Sequence, residues 1–169
     1  MALTASAVLG GLLASGGPAG GAGGGTFTAS LTGAQEVPPI VTAATASATV
    51  TLDPLETFIT VKVVFTGLTT GVTAAAIQGP AAPGTNGPVV FLLSGFPATT
   101  SGTFTSAPIS VTTAQVSELK AGLLYLNIHD ATFPGGEIRG QLEAVPAQSP
   151  AAPAAGTAAP STPAASFTG

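Results

Sequence analysis

Apolar and polar residues alternate along several short segments in the middle of the chain. The alternation is clearest in three segments, Thr26–Thr32, Thr45–Leu52 and Phe58–Thr66. Successive side chains of a β-strand point to opposite faces, so each segment predicts a strand with one apolar face. Phe58–Thr66 also carries Phe58 and Val64 on its second face, and we therefore expect this strand to be buried on much of both faces.

Shorter apolar runs separated by Gly, Pro and Asn predict further strands. They are Ala74–Ile77, Val89–Leu93, Gly102–Thr105 and Ile109–Val111. Near the end of this region, Leu123–His129 and Glu137–Glu143 predict a closing antiparallel pair. The Gly- and Pro-containing segment between them predicts the connecting loop.

One segment, Thr112–Ala121, predicts a helix of about two turns. Thr112 and Gln115 have the spacing of a capping box, and Gly122 is suited to the left-handed end of a helix. Many short strands and one small helix predict an all-β fold over residues 26–144, namely an immunoglobulin-like Greek-key antiparallel β-sandwich with one short helix. The apolar positions of the strands define the expected core: Leu31, Val50, Leu52, Ile59, Val61, Val63, Phe65, Val90, Phe91, Leu124, Leu126, Ile128, Ile138 and Leu142.

The two ends differ in composition from this central domain. Residues 1–25 combine an apolar stretch with a Gly-rich segment, and no Lys or Arg precedes Lys62. They are either the remnant of an export signal or an apolar arm on a flexible linker. Residues 145–169 are rich in Ala and Pro, a composition that favours an extended or disordered tail. The residues assigned to the arm are Ala2, Leu3, Val8, Leu9, Leu12 and Leu13.

Composition excludes several classes of function. Only 6% of the 169 residues are charged, with three Lys and Arg and a net charge of -4, so the chain lacks the basic surface that nucleic-acid binding needs. The absence of Cys excludes disulfides and thiolate metal sites, and one His cannot form a His pair within a subunit. We therefore predict no catalytic residues, no cofactor, no resident metal, no nucleic-acid partner and no transmembrane segment.

Four segments, in order, resemble the CHRD domain, which is named after chordin. They are Leu31–Pro39, Gly79–Phe91, Gly122–His129 and Phe133–Leu142, and the likeness covers about residues 26–143. The resemblance is to the bacterial, stand-alone exported form of the family. It implies an immunoglobulin-like β-sandwich that is secreted or exposed at the cell surface, and in animal chordin such repeats belong to an extracellular antagonist of growth factors.

The chain departs from this family at a pair of histidines. Many members carry His-x-His before the Gly-Pro dipeptide, where this sequence has Ala76 and Gln78. The resemblance implies that such a pair, together with a third histidine, could bind a metal such as copper. In this sequence only the third position, His129, is a histidine. A lone imidazole is a poor transition-metal site, so we disfavour metal binding.

The remaining polar residues of the closing pair allow two interpretations. His129, Asn127 and Tyr125 share one face of the first strand, and Glu137 and Arg139 share one face of the second. Either His129, Asn127, Glu137 and Arg139 form a small polar pocket with a function, or these side chains pair with one another across the two strands and have only a structural role.

Three functions remain open. We prefer a non-enzymatic structural protein, secreted or at the cell surface, that forms a homo-oligomer or homopolymer such as an extracellular fibre or matrix through its terminal segments. The first alternative is a monomeric extracellular module that binds a protein or a glycan. The second alternative is a copper-binding protein, which the loss of the His pair disfavours.

Overall fold

The computed structural model describes residues 23–146, and the strands and helices within them run from Gly25 to Ala144. The apolar arm residues, the export-signal interpretation and the Ala/Pro-rich tail lie outside the described residues. The elements are β1 Gly25–Thr32, β2 Thr45–Leu52, β3 Phe58–Thr66, β4 Val72–Gln78, β5 Val89–Leu92, β6 Gly102–Thr105, β7 Ile109–Ser110, α1 Thr113–Lys120, β8 Tyr125–Asp130, β9 Ile138–Gln141 and β10 Glu143–Ala144, with a 3₁₀ turn at Gly33–Gln35.

The strands form one antiparallel sheet in the order β5-β4-β8-β9-β1-β2-β3-β6, with β10 beside β1 and β7 beside β3. Strand β1 joins the two halves, because it pairs with β2 along its whole length and with β9 at Thr32 and Arg139. The sheet curls so that both halves contribute to one hydrophobic core. The predicted all-β class with one short α-helix is confirmed, and the two layers are halves of a continuous sheet.

The helix has the predicted ends. The Thr112 hydroxyl accepts a hydrogen bond from Gln115 N, and the Gln115 side chain accepts one from Thr112 N, which completes the capping box. Gly122 has a φ of 68°, and Leu123 N donates to the Glu118 carbonyl oxygen, as in a Schellman motif. Since this helix buries only two of its residues, it covers a small part of the core.

Twelve of the fourteen predicted core residues are buried, and the exceptions are Val90 and Phe91. Both are half-buried because β5 lies at the edge of the sheet, with β4 as its neighbour, and packs against the core from one side.

The expectation that β3 is buried on much of both faces is also wrong. Its outward residues Phe58 and Val64 are 45% and 46% exposed, because no other element covers this face within residues 23–146.

No helix within residues 23–146 combines the length and the apolar character that crossing a bilayer requires.

Candidate functional site

A polar layer lies on the face of β8 and β9 that points away from the hydrophobic core. Leu126 and Ile128 of β8 belong to the core, so the alternating positions Tyr125 and Asn127 point to the opposite face. Arg139 of β9 lies directly opposite Asn127. All three polar-layer side chains are nevertheless buried. The loops at residues 33–40 and 79–88 bring their partners to this face, which explains the burial.

Arg139 is the centre of this layer. Its guanidinium Nη1 donates to Asn86 Oδ1 at 2.9 Å, and Nη2 donates to the Thr85 carbonyl oxygen at 2.9 Å. The guanidinium carbon lies 3.8 Å from the centroid of the Tyr125 ring, within the range of a cation–π interaction. The Tyr125 hydroxyl in turn accepts a hydrogen bond from Gly87 N at 3.0 Å. These contacts hold the 79–88 loop against the sheet.

Glu36 approaches the same layer from the 33–40 loop. It is 6% exposed, and its Oε1 has no hydrogen-bond partner within the described residues. Burial raises the pKa of Glu36 from 4.5 to about 7, although the charge of Arg139 and a hydrogen bond from Val37 N act in the opposite direction. A buried carboxyl group with a perturbed pKa in a cleft is a common mark of a functional site.

Asn127 provides a second unpaired acceptor close to Glu36. Its Nδ2 lies 3.5 Å from Gln78 Oε1, whereas its Oδ1 has no partner within residues 23–146. A Cβ atom added to Gly136 would lie 2.5 Å from Asn127 Oδ1 and 2.8 Å from Glu36 Oε1. Glycine at this position therefore leaves room for both oxygens, and its φ of 127° also disfavours any other residue.

A cavity of about 430 Å³ opens beside Glu36 and Arg139. Residues of the segments 34–39 and 83–84 line it together with Gln141. The wall thus combines apolar side chains with a few polar groups, as small-molecule sites do. A smaller cavity of about 220 Å³ lies on the other side of Glu36, against residues 132–136.

Glu137, which the sequence placed in the same polar pocket as Arg139, takes part in a different group. Its Oε1 accepts hydrogen bonds from the hydroxyl groups of Thr42 at 2.6 Å and Thr69 at 2.8 Å. Thr69 N also donates to Glu137 Oε2 at 3.0 Å. This fully buried carboxyl group therefore fastens two loops to the sheet.

Asp130 belongs to the same group as Glu137. Its Oδ2 accepts hydrogen bonds from the Thr70 hydroxyl at 2.8 Å and Thr70 N at 2.7 Å, and its Oδ1 accepts one from Phe133 N at 2.6 Å. Burial alone would raise the pKa of Asp130, but the hydrogen bonds from Phe133 and Thr70 hold its pKa below the usual value of 3.8. These interactions give Asp130 a structural role in ordering the 130–136 loop.

His129 lies apart from the hydrogen bonds of Arg139 and Glu137. Its Nδ1 is 2.9 Å from the Pro134 carbonyl oxygen, and its neighbour across the sheet is Ala74. Ala76 and Gln78, at the positions of the family's His pair, lie opposite Asn127 and Tyr125 of β8. Within residues 23–146 no three His, Cys, Asp or Glu side chains are grouped as metal ligands.

The structure thus brings together two of the four proposed pocket residues, Asn127 and Arg139, and adds Glu36 and Tyr125. The sequence pattern did not place Glu36 in this pocket. The available signal was a charged residue next to Val37-Pro38-Pro39 in a chain that has few charges.

The edge of the sheet at β5 is a separate candidate surface. Val89 and Leu92 are 56% and 65% exposed there. The chain has no charged residue between Lys62 and Glu118, so neither β5 nor β6, which end the sheet, carries a charge. Natural sheet edges commonly carry lysines or other charges that discourage addition of a further strand, and these edges lack that protection.

Comparison with protein families gives a match between residues 27–142 and the model of the CHRD domain. Neither the curated proteins nor the solved structures contain a match to this chain.

Proposed function

We propose, from the premise that this chain belongs to the CHRD-domain family, that it is a non-enzymatic protein of the cell exterior that assembles with copies of itself. The observation that supports assembly is the uncharged, partly apolar edge strand β5. Such an edge presents unpaired backbone groups that accept a strand from another chain.

The strand that we propose as donor is the apolar arm, Ala2–Ala14. It contains no charged residue, and its length suits pairing with a short edge strand. About ten residues, Ser15–Gly25, connect it to β1, and a fully extended connection of that length spans up to roughly 30 Å. A connection of this length allows the arm of one copy to extend towards a neighbouring copy.

A contact of this kind is head-to-tail, because the arm and the β5 edge are different surfaces. Head-to-tail contacts that do not close into a ring continue as a filament. The low charge of the chain supports the same proposal, since little electrostatic repulsion opposes close association of copies.

The experiment compares matched variants of the full-length protein by size-exclusion chromatography with light scattering and by electron microscopy. Val89→Lys places a charge on the β5 edge, whereas Val64→Lys places the same charge on an exposed valine of β3, which has neighbours on both sides. We expect the wild type and Val64→Lys to form oligomers or fibres, and Val89→Lys and a deletion of residues 1–25 to be monomers. A wild-type protein that is monomeric at high concentration would refute assembly.

The alternative function, a monomeric extracellular module that binds a ligand, is supported by a different observation. The cavity beside Glu36 and Arg139 combines apolar side chains with a few polar groups, as small-molecule sites do. In the same experiment, a soluble monomer that behaves identically with and without residues 1–25 supports this alternative.

A further inference from the structure

An apolar depression of about 400 Å³ lies on the outward face of β2 and β3, beside the turn that joins them. It is lined by Thr51, Asp53, Phe58, Thr60 and Pro108, and we call it the Phe58 surface. Asp53 is the one charged residue among these five, and three backbone N–H groups of the turn already donate hydrogen bonds to its carboxylate. Phe58 is 45% exposed. This surface therefore offers mainly apolar contacts to a partner.

The N-terminal segment enters the domain next to the Phe58 surface. Gly24 N donates a hydrogen bond to Glu56 Oε1 at 3.1 Å, so the chain approaches β1 along the turn between β2 and β3. Gly25 and Ile59 pair with the same residue of β2, one on each side of it. Neighbouring strands lie about 4.8 Å apart, so the start of β1 is about 10 Å from Ile59, which follows Phe58 in the chain.

The length of chain before β1 suits this short gap. Residues 1–22 lie outside the described residues, and residues 15–22 of this segment are Gly, Ala, Ser and Pro only. A Gly-rich chain of eight residues has a root-mean-square end-to-end distance of about 15 Å. A tethered segment has its highest effective concentration where this distance is similar to the span, which here is about 10 Å. The tether therefore favours contact between the apolar arm, Ala2–Ala14, and the Phe58 surface of the same copy.

The composition of the arm also suits this surface better than that of the other terminus does. The arm contains five Leu and Val residues and no charged residue. The C-terminal segment starts close by, because Val145 N donates to the Thr26 carbonyl oxygen at 2.8 Å. Residues 147–169, however, contain Phe167 as their one large apolar residue. Removal of aliphatic side chains and an exposed aromatic ring from water is favourable in proportion to the apolar area buried, so the arm is the better occupant.

We infer that the apolar arm docks on the Phe58 surface of its own copy. The inference concerns a single copy and does not require assembly. Where copies assemble as proposed, the Phe58 surface and the β5 edge compete for the same arm. Docking within a copy then opposes the formation of filaments, and a copy donates its arm only when the arm leaves its own Phe58 surface.

The test measures paramagnetic broadening of amide signals in the full-length protein by nuclear magnetic resonance. The chain has no Cys, so Ser6→Cys provides a single position for a nitroxide label in the arm. The sample also carries Val89→Lys, which charges the β5 edge and keeps copies apart if they assemble as proposed. We expect the label to broaden the amide signals of Thr51, Phe58 and Thr60. If the proposed assembly is wrong, Val89→Lys has no effect and this test is unchanged.

Matched variants separate docking from mere proximity of the tethered label. Phe58→Asp should reduce the broadening at Thr60 about tenfold, because a carboxylate replaces the apolar contact. Val64→Asp changes a residue of equal exposure on the same face of β3 and should leave the broadening unchanged. Leu9→Asp in the arm should act as Phe58→Asp does without altering the folded domain. Ser15→Asp, in the connection, is its control.

Two further samples identify the occupant. In a mixture of isotope-labelled copies without nitroxide and unlabelled copies with nitroxide, we expect no broadening at the Phe58 surface. Deletion of residues 1–22 should shift the amide signals of Phe58 and Thr60, whereas deletion of residues 147–169 should not.

Three outcomes would overturn the inference. The first is broadening confined to residues 23–26 and 53–57, where the chain enters the domain. The second is equal broadening in Leu9→Asp and Ser15→Asp, which decides the question even if Phe58→Asp does not fold. The third is broadening in the mixed sample, which would assign the surface to the arm of a second copy.

Discussion

The guanidinium of Arg139 and the ring of Tyr125 are stacked with 3.8 Å between the guanidinium carbon and the ring centroid. The two side chains come from neighbouring strands, β9 and β8, and both are buried. A buried arginine is costly unless its charge and its N–H groups have partners. Here the aromatic face accommodates the charge, and the 79–88 loop accepts two of the hydrogen bonds. Arg139 therefore holds that loop and forms one wall of the cavity.

Replacement of Arg139 tests this structural role. Arg139→Met removes the stacked cation and leaves Asn86 Oδ1 and the Thr85 carbonyl oxygen without their donor, so we expect the free energy of unfolding to fall by about 3 kcal/mol. Lys62→Met removes a cation from the exposed face of β3 and should change the free energy of unfolding by less than about 0.5 kcal/mol. Urea unfolding followed by circular dichroism measures both, and equal effects would contradict the assigned role.

The raised pKa of Glu36 predicts a dependence of stability on pH. The carboxyl ionises near pH 4.5 in the unfolded chain and near pH 7 in the folded protein. Between these values the folded state binds the additional proton, so the free energy of unfolding decreases as pH rises, by about 3 kcal/mol in total, and then levels off.

The matched variants for this prediction are Glu36→Gln and Glu143→Gln. The first removes the ionisation, so its stability should not decrease over this pH range. The second changes an exposed carboxyl group and should leave the wild-type profile in place. Urea unfolding at a series of pH values measures the profiles. A wild-type profile that is flat from pH 4.5 to 7 would refute the prediction.

Two phenylalanines of β3 test the position of the core. Phe65 is buried and packs near Phe96, with 5.6 Å between ring centroids, whereas Phe58 is 45% exposed on the other face. Phe65→Ala should cost about 3–5 kcal/mol of unfolding free energy, because it leaves a cavity in the core. Phe58→Ala should cost less than about 1 kcal/mol. Thermal and urea unfolding report both values, and a cost below about 0.5 kcal/mol for Phe65→Ala would place that residue outside the core.

Metal binding is tested by calorimetry with copper and with zinc. Ala76 and Gln78 replace the histidines that the family resemblance implies, so we expect the wild type to bind either ion no better than His129→Ala does. A stoichiometric site of submicromolar affinity that disappears in His129→Ala would reverse this prediction. If such a site appears only in oligomeric fractions, it is formed by His129 residues of several copies.

The local pattern of the sequence was sufficient to predict the main strands, the helix and most of the core residues. Alternation predicted β1, β2 and β3, and the capping box and Gly122 predicted both ends of α1. These signals are local, because the direction of a side chain in a strand and the satisfaction of a helix end depend on residues close in sequence. Burial of the outward face of β3 was predicted wrongly, since apolar residues at Phe58 and Val64 do not reveal whether another element covers them.

Only the tertiary structure shows which residues form the polar site. Alternation placed Asn127 and Arg139 on the outer face of the closing strands, but it could not show that the 33–40 and 79–88 loops bury that face. Glu36 reaches Arg139 across about a hundred residues of sequence, whereas Glu137, two residues from Arg139, bonds to Thr42 and Thr69 instead. Such pairings follow from how distant loops pack on the folded sheet, and no local period of the sequence carries that information.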